Sequence, residues 1–289
     1  MVFLAKWRWI IYIALLTAMV ISGNVRNSPR KEIVVPVIQL PIPPLLPAQT
    51  ASPSASAKPA LSYSEMNHLY GPCVKLPVIM YHHVQPASEA REKGQSNLNI
   101  DSEVFRKQME DLKTKGYISV LPSDLVAYFD EGKPLPGKPV MITFDDGYVD
   151  NGEYAYEILK QVAMKGVVFL STGLMENEGY LKWEKIMEMN GSGVIAFGNH
   201  TWSHMNAGKN KELVKKEIST ADDQLSERGL NQVKTFAYPY GEQNGYTREY
   251  LNDLGYKLGF TTVRGDILCN KSRFSLPRIR ASSAGINGL

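Results

Sequence analysis

Apolar residues in this chain follow two rhythms. Short runs bounded by glycine, proline or charge occupy residues 78–84, 140–144, 167–171, 194–198, 233–238 and 258–263, and each reads as a buried strand. Between them, apolar residues spaced three and four apart predict helices over about 102–115, 153–163, 213–228 and 247–254. Strand alternating with helix predicts an α/β domain built on a mainly parallel sheet. Residues 63–289 are enough chain for one such domain with a large core, and they are read as a single domain.

The first sixty residues have a different pattern. Lys6 and Arg8 precede an apolar run from Trp9 to Ile21, the charged and hydrophobic regions of an export signal. The run is short for a full membrane span, yet no good A-x-A site follows, and Val20-x-Ser22 is the best cleavage candidate. Residues 1–24 are therefore read as a signal peptide or signal anchor. An uncleaved anchor is favoured, with its positive end inside and the rest of the chain outside. No cysteine follows the run to carry a lipid. Residues 25–62 hold Pro29, Pro36, Pro41, Pro43, Pro44, Pro47, Pro53 and Pro59, so they predict a disordered linker. At about 3.1 Å per residue it would hold the domain up to roughly 100 Å from a membrane.

Charge and motifs exclude several functions. A net charge of +3 with scattered Lys and Arg gives no nucleic-acid stripe. Gly191-Ser192-Gly193 lacks a third glycine and no Walker A sequence is present, so no nucleotide cofactor is expected. No G-x-S-x-G elbow marks a serine hydrolase. Cys73 and Cys269 flank the domain and are available for one disulfide in an exported protein; the sequence leaves their state open.

The chemistry concentrates in two segments. Asp145-Asp146-Gly147 ends the apolar run 140–144, which delivers two carboxylates to the rim of a sheet. His200 and His204 stand four apart in His-Thr-Trp-Ser-His and can offer two imidazole nitrogens to one ion. One aspartate added to them makes three protein ligands with an open position, the arrangement of a catalytic metal site. A glycosidase reading of the aspartates is weaker, because adjacent strand residues point to opposite faces and the histidine pair favours a metal.

Thr143-Phe144-Asp145-Asp146-Gly147 and His200-Thr201-x-x-His204 together resemble the polysaccharide deacetylases that share the NodB homology domain, also called carbohydrate esterase family 4. The resemblance runs from about residue 76 to 280. It includes Phe236-Ala237-Tyr238-Pro239-Tyr240-Gly241, similar to the third family motif, and Ile79-Met80-Tyr81-His82-His83, similar to a hydrophobic-His motif usually found near the family's C-terminus. Its place before the aspartates resembles the circularly permuted branch, which includes deacetylases of exported poly-N-acetylglucosamine. The resemblance implies a distorted (β/α) barrel, with the site at the C-terminal ends of its strands.

It also implies roles. Asp146, His200 and His204 would bind a divalent metal, zinc by default, with cobalt, nickel or iron suiting the same donors. Asp145 would be the general base, His82 the general acid, and the backbone N–H of Tyr240 part of an oxyanion site. The third motif usually carries arginine two residues before its proline; here that residue is Ala237. Arg278 is the candidate replacement, with an ordinary structural role as the alternative. Trp183 and Trp202 are candidate sugar-stacking walls, with core packing expected for at least one. The implied activity is removal of N-acetyl groups from an acetylated N-acetylglucosamine polymer, poly-N-acetylglucosamine or peptidoglycan, by an exported or membrane-anchored enzyme. An O-acetyl esterase of the xylan type and an inactive wall-binding module remain the alternatives, the second left open by Ala237.

Overall fold

The computed structural model describes residues 61–286, within one compact unit spanning Lys58–Leu289. The expectations for residues 1–24, and for all but the end of 25–62, lie outside the described residues. The described chain starts with a capped helix, Tyr63–Tyr70. The Ser62 hydroxyl accepts the Glu65 N–H, and the Glu65 carboxylate accepts the Ser62 N–H. Among the described residues no helix is long and apolar enough to cross a membrane.

Seven parallel strands close into a ring: β1 (Val78–Tyr81), β2 (Pro139–Phe144), β3 (Gly166–Leu170), β4 (Ile195–Asn199), β5 (Thr235–Ala237), β6 (Leu258–Arg264) and β7 (Leu276–Arg280). Each pairs with the next in chain order, and β7 pairs back onto β1 through Ile279 with Ile79 and Arg280 with Met80. This is the (β/α) barrel that the resemblance implies. A short strand, Ile118–Ser119, adds to the outer side of β2.

Residues of β1, β2 and β3 are buried at every position, which is why they read as continuous apolar runs. Their side chains still alternate between two clusters. Ile79, Tyr81, Ile142, Phe144 and Val168 pack outward against Phe105, Met109 and Leu112 of helix Ser102–Thr114 and Ile158 and Leu159 of helix Tyr156–Val162. Val78, Met141, Val167, Phe169, Leu258 and Phe260 belong to the second cluster. Phe169 of β3 meets Phe260 of β6 with ring centroids 5.6 Å apart, two non-adjacent strands touching across the barrel interior. Asp101 caps helix Ser102–Thr114 through the N–H groups of Glu103 and Val104, and Asn210 caps helix Lys211–Ser226 through Leu213.

Several elements differ from the sequence expectation. The run 78–84 is two strands: β1 stops at Tyr81, and His83–Val84 pairs separately with Asn99–Ile100. β7 was not expected as a strand, because Pro277 removes a ladder donor; it takes its place beside a register shift in its pairing with β6. Helices Pro122–Glu131 and Trp183–Gly191 were also not expected, since each buries only two or three side chains. Cys73 on strand Cys73–Lys75 faces Cys269 on antiparallel strand Ile267–Cys269, and the two form a disulfide.

Candidate active site

The strand ends set the site. His82 follows β1, Asp145 and Asp146 follow β2, His200 follows β4, Tyr240 lies just beyond β5, and Arg278 sits within β7. Asp146 has φ 76°, and Gly147 follows at φ 81°. A Cβ on Gly147 would come within 2.7 Å of Leu170, so this turn out of the strand requires glycine. Thr201, His204 and Tyr240 also have positive φ, so four of the six such non-glycine residues among those described belong to the site motifs. Backbone in this region costs energy and persists where its surroundings impose it, commonly at functional sites.

Asp146, His200 and His204 converge. Asp146 Oδ1 lies 3.3 Å from His200 Nε2 and 3.2 Å from His204 Nε2, and one donor atom from each residue falls within 4.8 Å of the others. Donors bound to one tetrahedral ion at about 2.0–2.2 Å stand about 3.3–3.6 Å apart, so this set fits a small divalent cation. A second observation agrees: Asp146 Oδ1 is buried with no hydrogen-bond partner, an acceptor that an ion would satisfy. His200 Nδ1 lies 2.7 Å from the Ala237 carbonyl, an acceptor that fixes the proton on Nδ1 and turns the Nε2 lone pair toward Asp146. Burial alone would raise the Asp146 pKa, but the surrounding histidines outweigh it and hold the carboxylate well below its usual range.

Asp145 points at a different partner. Both its oxygens accept from Arg278, Oδ1 from Nη1 and Oδ2 from Nη2, each at 2.7 Å, and both side chains are buried. Arg278 is held by two further contacts, from Nε to the Thr261 carbonyl at 2.9 Å and from Nη1 to Thr143 Oγ1 at 3.3 Å. This planar, two-point fork orients the carboxylate as well as charging its surroundings. Burial would raise the pKa of Asp145, yet the guanidinium, His200 and His82 bring it below the ordinary value. Arg278 thus reaches Asp145 from β7, while Ala237 meets the site only through its backbone carbonyl, at His200.

His82 is half-buried near both aspartates. Burial lowers its pKa, Asp145 and Asp146 partly offset this, and Arg278 and Arg280 add to it. Asn151 Nδ2 donates to the His82 carbonyl at 2.7 Å. His83 turns into the protein, where its Nδ1 lies 2.7 Å from Asp150 Oδ2, and Asp150 Oδ1 accepts the Val84 N–H at 2.8 Å. The His83 ring stacks on Tyr148 at 3.7 Å. Burial and nearby Asp146 push the Tyr148 hydroxyl up, so it stays protonated beside that carboxylate. Sequence reading missed Tyr148, Asp150 and Asn151. Their only signal was their place just after the Asp-Asp-Gly triplet, on a π-helical turn over Asn151–Ala155 and the residues before it.

Tyr240 is exposed at φ 62°, with its ring edge-on to His204 at 4.8 Å. Trp202 is also exposed and lies over Gly173, where any Cβ would collide with the indole. Trp183 instead packs against the outer core with the Arg228 guanidinium 4.1 Å over its ring, the structural role expected for one of the two.

Residues 132–259 match the family model for polysaccharide deacetylase. YxkH of Bacillus subtilis, a protein named for the same family, is 28% identical over 74% of this chain and 74% of its own. The poly-beta-1,6-N-acetyl-D-glucosamine N-deacetylase of Staphylococcus aureus (strain MSSA476) is 25% identical over 85% of this chain and 89% of that protein. Its namesake in Escherichia coli (strain K12) is matched over only 36% of its length. Among solved structures, the Streptococcus pyogenes deacetylase PplD superposes with TM-score 0.67 at 29% identity, covering 73% of this chain and 94% of that one. IcaB from Ammonifex degensii gives TM-score 0.64 at 27% identity, covering 72% and 92%. With its closed barrel and with these motif residues gathered at one rim, the chain carries a match to the polysaccharide deacetylase domain over residues 132–259 and shares the barrel of these deacetylases.

Proposed function

We propose that this enzyme removes N-acetyl groups from an extracellular N-acetylglucosamine polymer, poly-N-acetylglucosamine or peptidoglycan, using a divalent metal ion. The observation that carries the reading is the pairing of two differently prepared carboxylates: Asp146 grouped with His200 and His204, and Asp145 forked by Arg278. Asp146, His200 and His204 would hold the ion, with zinc as the default and cobalt, nickel or iron compatible with the donors. Such an ion polarises the acetyl carbonyl and makes bound water nucleophilic near neutral pH.

The chain's own groups supply the remainder. Asp145, kept ionised by Arg278, takes the proton of the attacking water. The backbone N–H of Tyr240 donates to the acetyl oxygen as it gains charge. His82 gives its proton to the departing amine; the burial that weakens its hold on a proton makes it a stronger acid once charged. The Cys73–Cys269 disulfide supports an oxidising compartment, in line with export through residues 1–24 and a substrate outside the membrane.

The test is acetate release by the full chain from N-acetylglucosamine oligomers and from acetylated xylan, before chelation, after it, and after metal is restored. Metal-dependent release from the glucosamine oligomers is expected. Release from xylan alone moves the substrate to O-acetyl esters, and no release with any metal from folded protein overturns the enzymatic reading.

A further inference from the structure

The two flanks of the site differ in chemistry. On one side, Tyr148, Tyr180 and Glu178 wall a groove together with His83, and the two tyrosine rings lie 5.3 Å apart. On the other, a groove beside His82 is lined by residues 96–100, Arg280, Ser282 and Ser283. This second lining holds asparagine and serine side chains and one fixed positive charge, with no carboxylate.

Arg280 ends β7, where its backbone pairs with Met80, two residues before His82. Its side chain is exposed, and none of the ion pairs among the described residues includes it. By contrast, Arg273 is paired with Asp130 and Arg278 with Asp145. Its charge is near enough to act on His82. Asn99 and Ser282 already donate within the protein, to the Gln85 and Gly285 carbonyls. A lone guanidinium in a groove free of acids, with the Ser96 and Ser283 hydroxyls and the Asn97 amide also in the lining, favours an anion with two acceptor oxygens. A neutral glycan offers that guanidinium only neutral oxygen acceptors, weaker partners than a charged one, and a deacetylated, cationic glycan is repelled by it.

We propose that the Arg280 groove is a subsite for an acidic sugar, so that the enzyme prefers N-acetylglucosamine whose chain neighbour carries a carboxylate or a phosphate. This rests on the function proposed above. A carboxylate of the muramyl type and a phosphate on the wall polymer share the recognised chemistry, and the probes separate them.

The experiment uses the full, metal-loaded chain and four oligomers of matched length: a peptidoglycan-type glycan with free muramyl carboxylates, its methyl ester, an N-acetylglucosamine oligomer bearing a phosphate, and the same oligomer without it. Both kcat/KM for acetate release and direct binding by calorimetry are measured. Charged probes should exceed their neutral partners by about 5–10-fold. That ratio should shrink between about 0.02 M and about 0.5 M salt. Arg280→Gln should collapse it, Arg280→Lys should keep part of it, and Arg280→Glu should reverse it. Taking ratios at one pH cancels any effect of these changes on His82. The larger ratio identifies carboxylate or phosphate as the source of the anion. Equal handling of charged and neutral probes by the wild type, or a ratio that Arg280→Glu leaves unchanged, overturns the subsite. Absence of acetate release with an Arg280-dependent binding preference intact would sink the enzymatic reading and keep the subsite.

Discussion

At the scale of single residues, the costliest feature of the site is the Asp145–Arg278 pair. Two fully buried ions are stable only because each completes the other's hydrogen bonds. Asp145→Ala should therefore cost about 3–5 kcal/mol in chemical denaturation, because it leaves the guanidinium buried and unpaired. Replacing both, Asp145→Leu with Arg278→Met, should recover most of that loss while acetate release stays abolished. Recovery should stop short of wild type, since the Thr261 carbonyl loses its donor. Additive losses in the double variant would show that the pair is not coupled. The same pair gives acid sensitivity a direction. Asp145 titrates below its ordinary value of 3.8 when folded, so the unfolded chain takes up its proton first as pH falls. Its contribution is fully present above the unfolded value and is lost as pH drops through the lowered folded one. The double variant should therefore lose less stability than wild type below about pH 4. Sequence motifs located Asp145, Asp146, His200 and His204 because their spacings are local. They could not reveal that Asp150 grips His83 or that Arg278 reaches Asp145, contacts that exist only once distant strand ends meet.

Among elements, legibility follows how much of each segment is buried. The strands 140–144, 167–171 and 258–263 were read almost to the residue because every position in the first two, and most in the third, faces apolar neighbours. β7 escaped notice because Pro277 interrupts a run only five residues long. Helix Trp183–Gly191 escaped because only Ile186 and Met189 are buried along it. Tight spots within strands are also invisible to pattern. Gly198 of β4 lies so close to its neighbours that a Cβ would come within 2.7 Å of both the Phe169 ring and Thr235 Oγ1. Phe169 in turn touches Phe260 across the barrel, so it has little room to yield. Gly198→Ala should cost about 1–3 kcal/mol by thermal or denaturant unfolding. Because Asn199 and His200 follow directly, the same change should weaken metal affinity measured by titration. A variant as stable as wild type would mean that β4 can shift without strain.

Across the whole molecule, the permuted motif order places the seam of the barrel between its last strand and its first. β7 and β1 share only two register pairs, Ile279 with Ile79 and Arg280 with Met80, yet they carry Arg278 and deliver His82. Nothing in local periodicity says how such a seam is held, and the sequence offered Cys73 and Cys269 as a candidate pair with their disulfide state open. The disulfide answers it. It ties the strand just before β1 to its antiparallel partner just before β7, joining residues 196 apart in sequence. A cross-link over so long a loop removes much of the unfolded chain's freedom, typically about 2–5 kcal/mol of stability. Cys73→Ser with Cys269→Ser should therefore lower Tm by roughly 4–20 °C for a domain of this size. The loss should be distributed unevenly. Hydrogen exchange should speed up first in β1 and β7, whose pairing the bridge guards, and later in β2 to β4, which the bridge does not flank. Since Asp146 follows β2 and His200 and His204 follow β4, metal affinity should change little, while acetate release, which on the proposed function uses His82 and Arg278 across the seam, should fall. Loss of metal binding ahead of activity would place the seam's influence on the metal ligands instead.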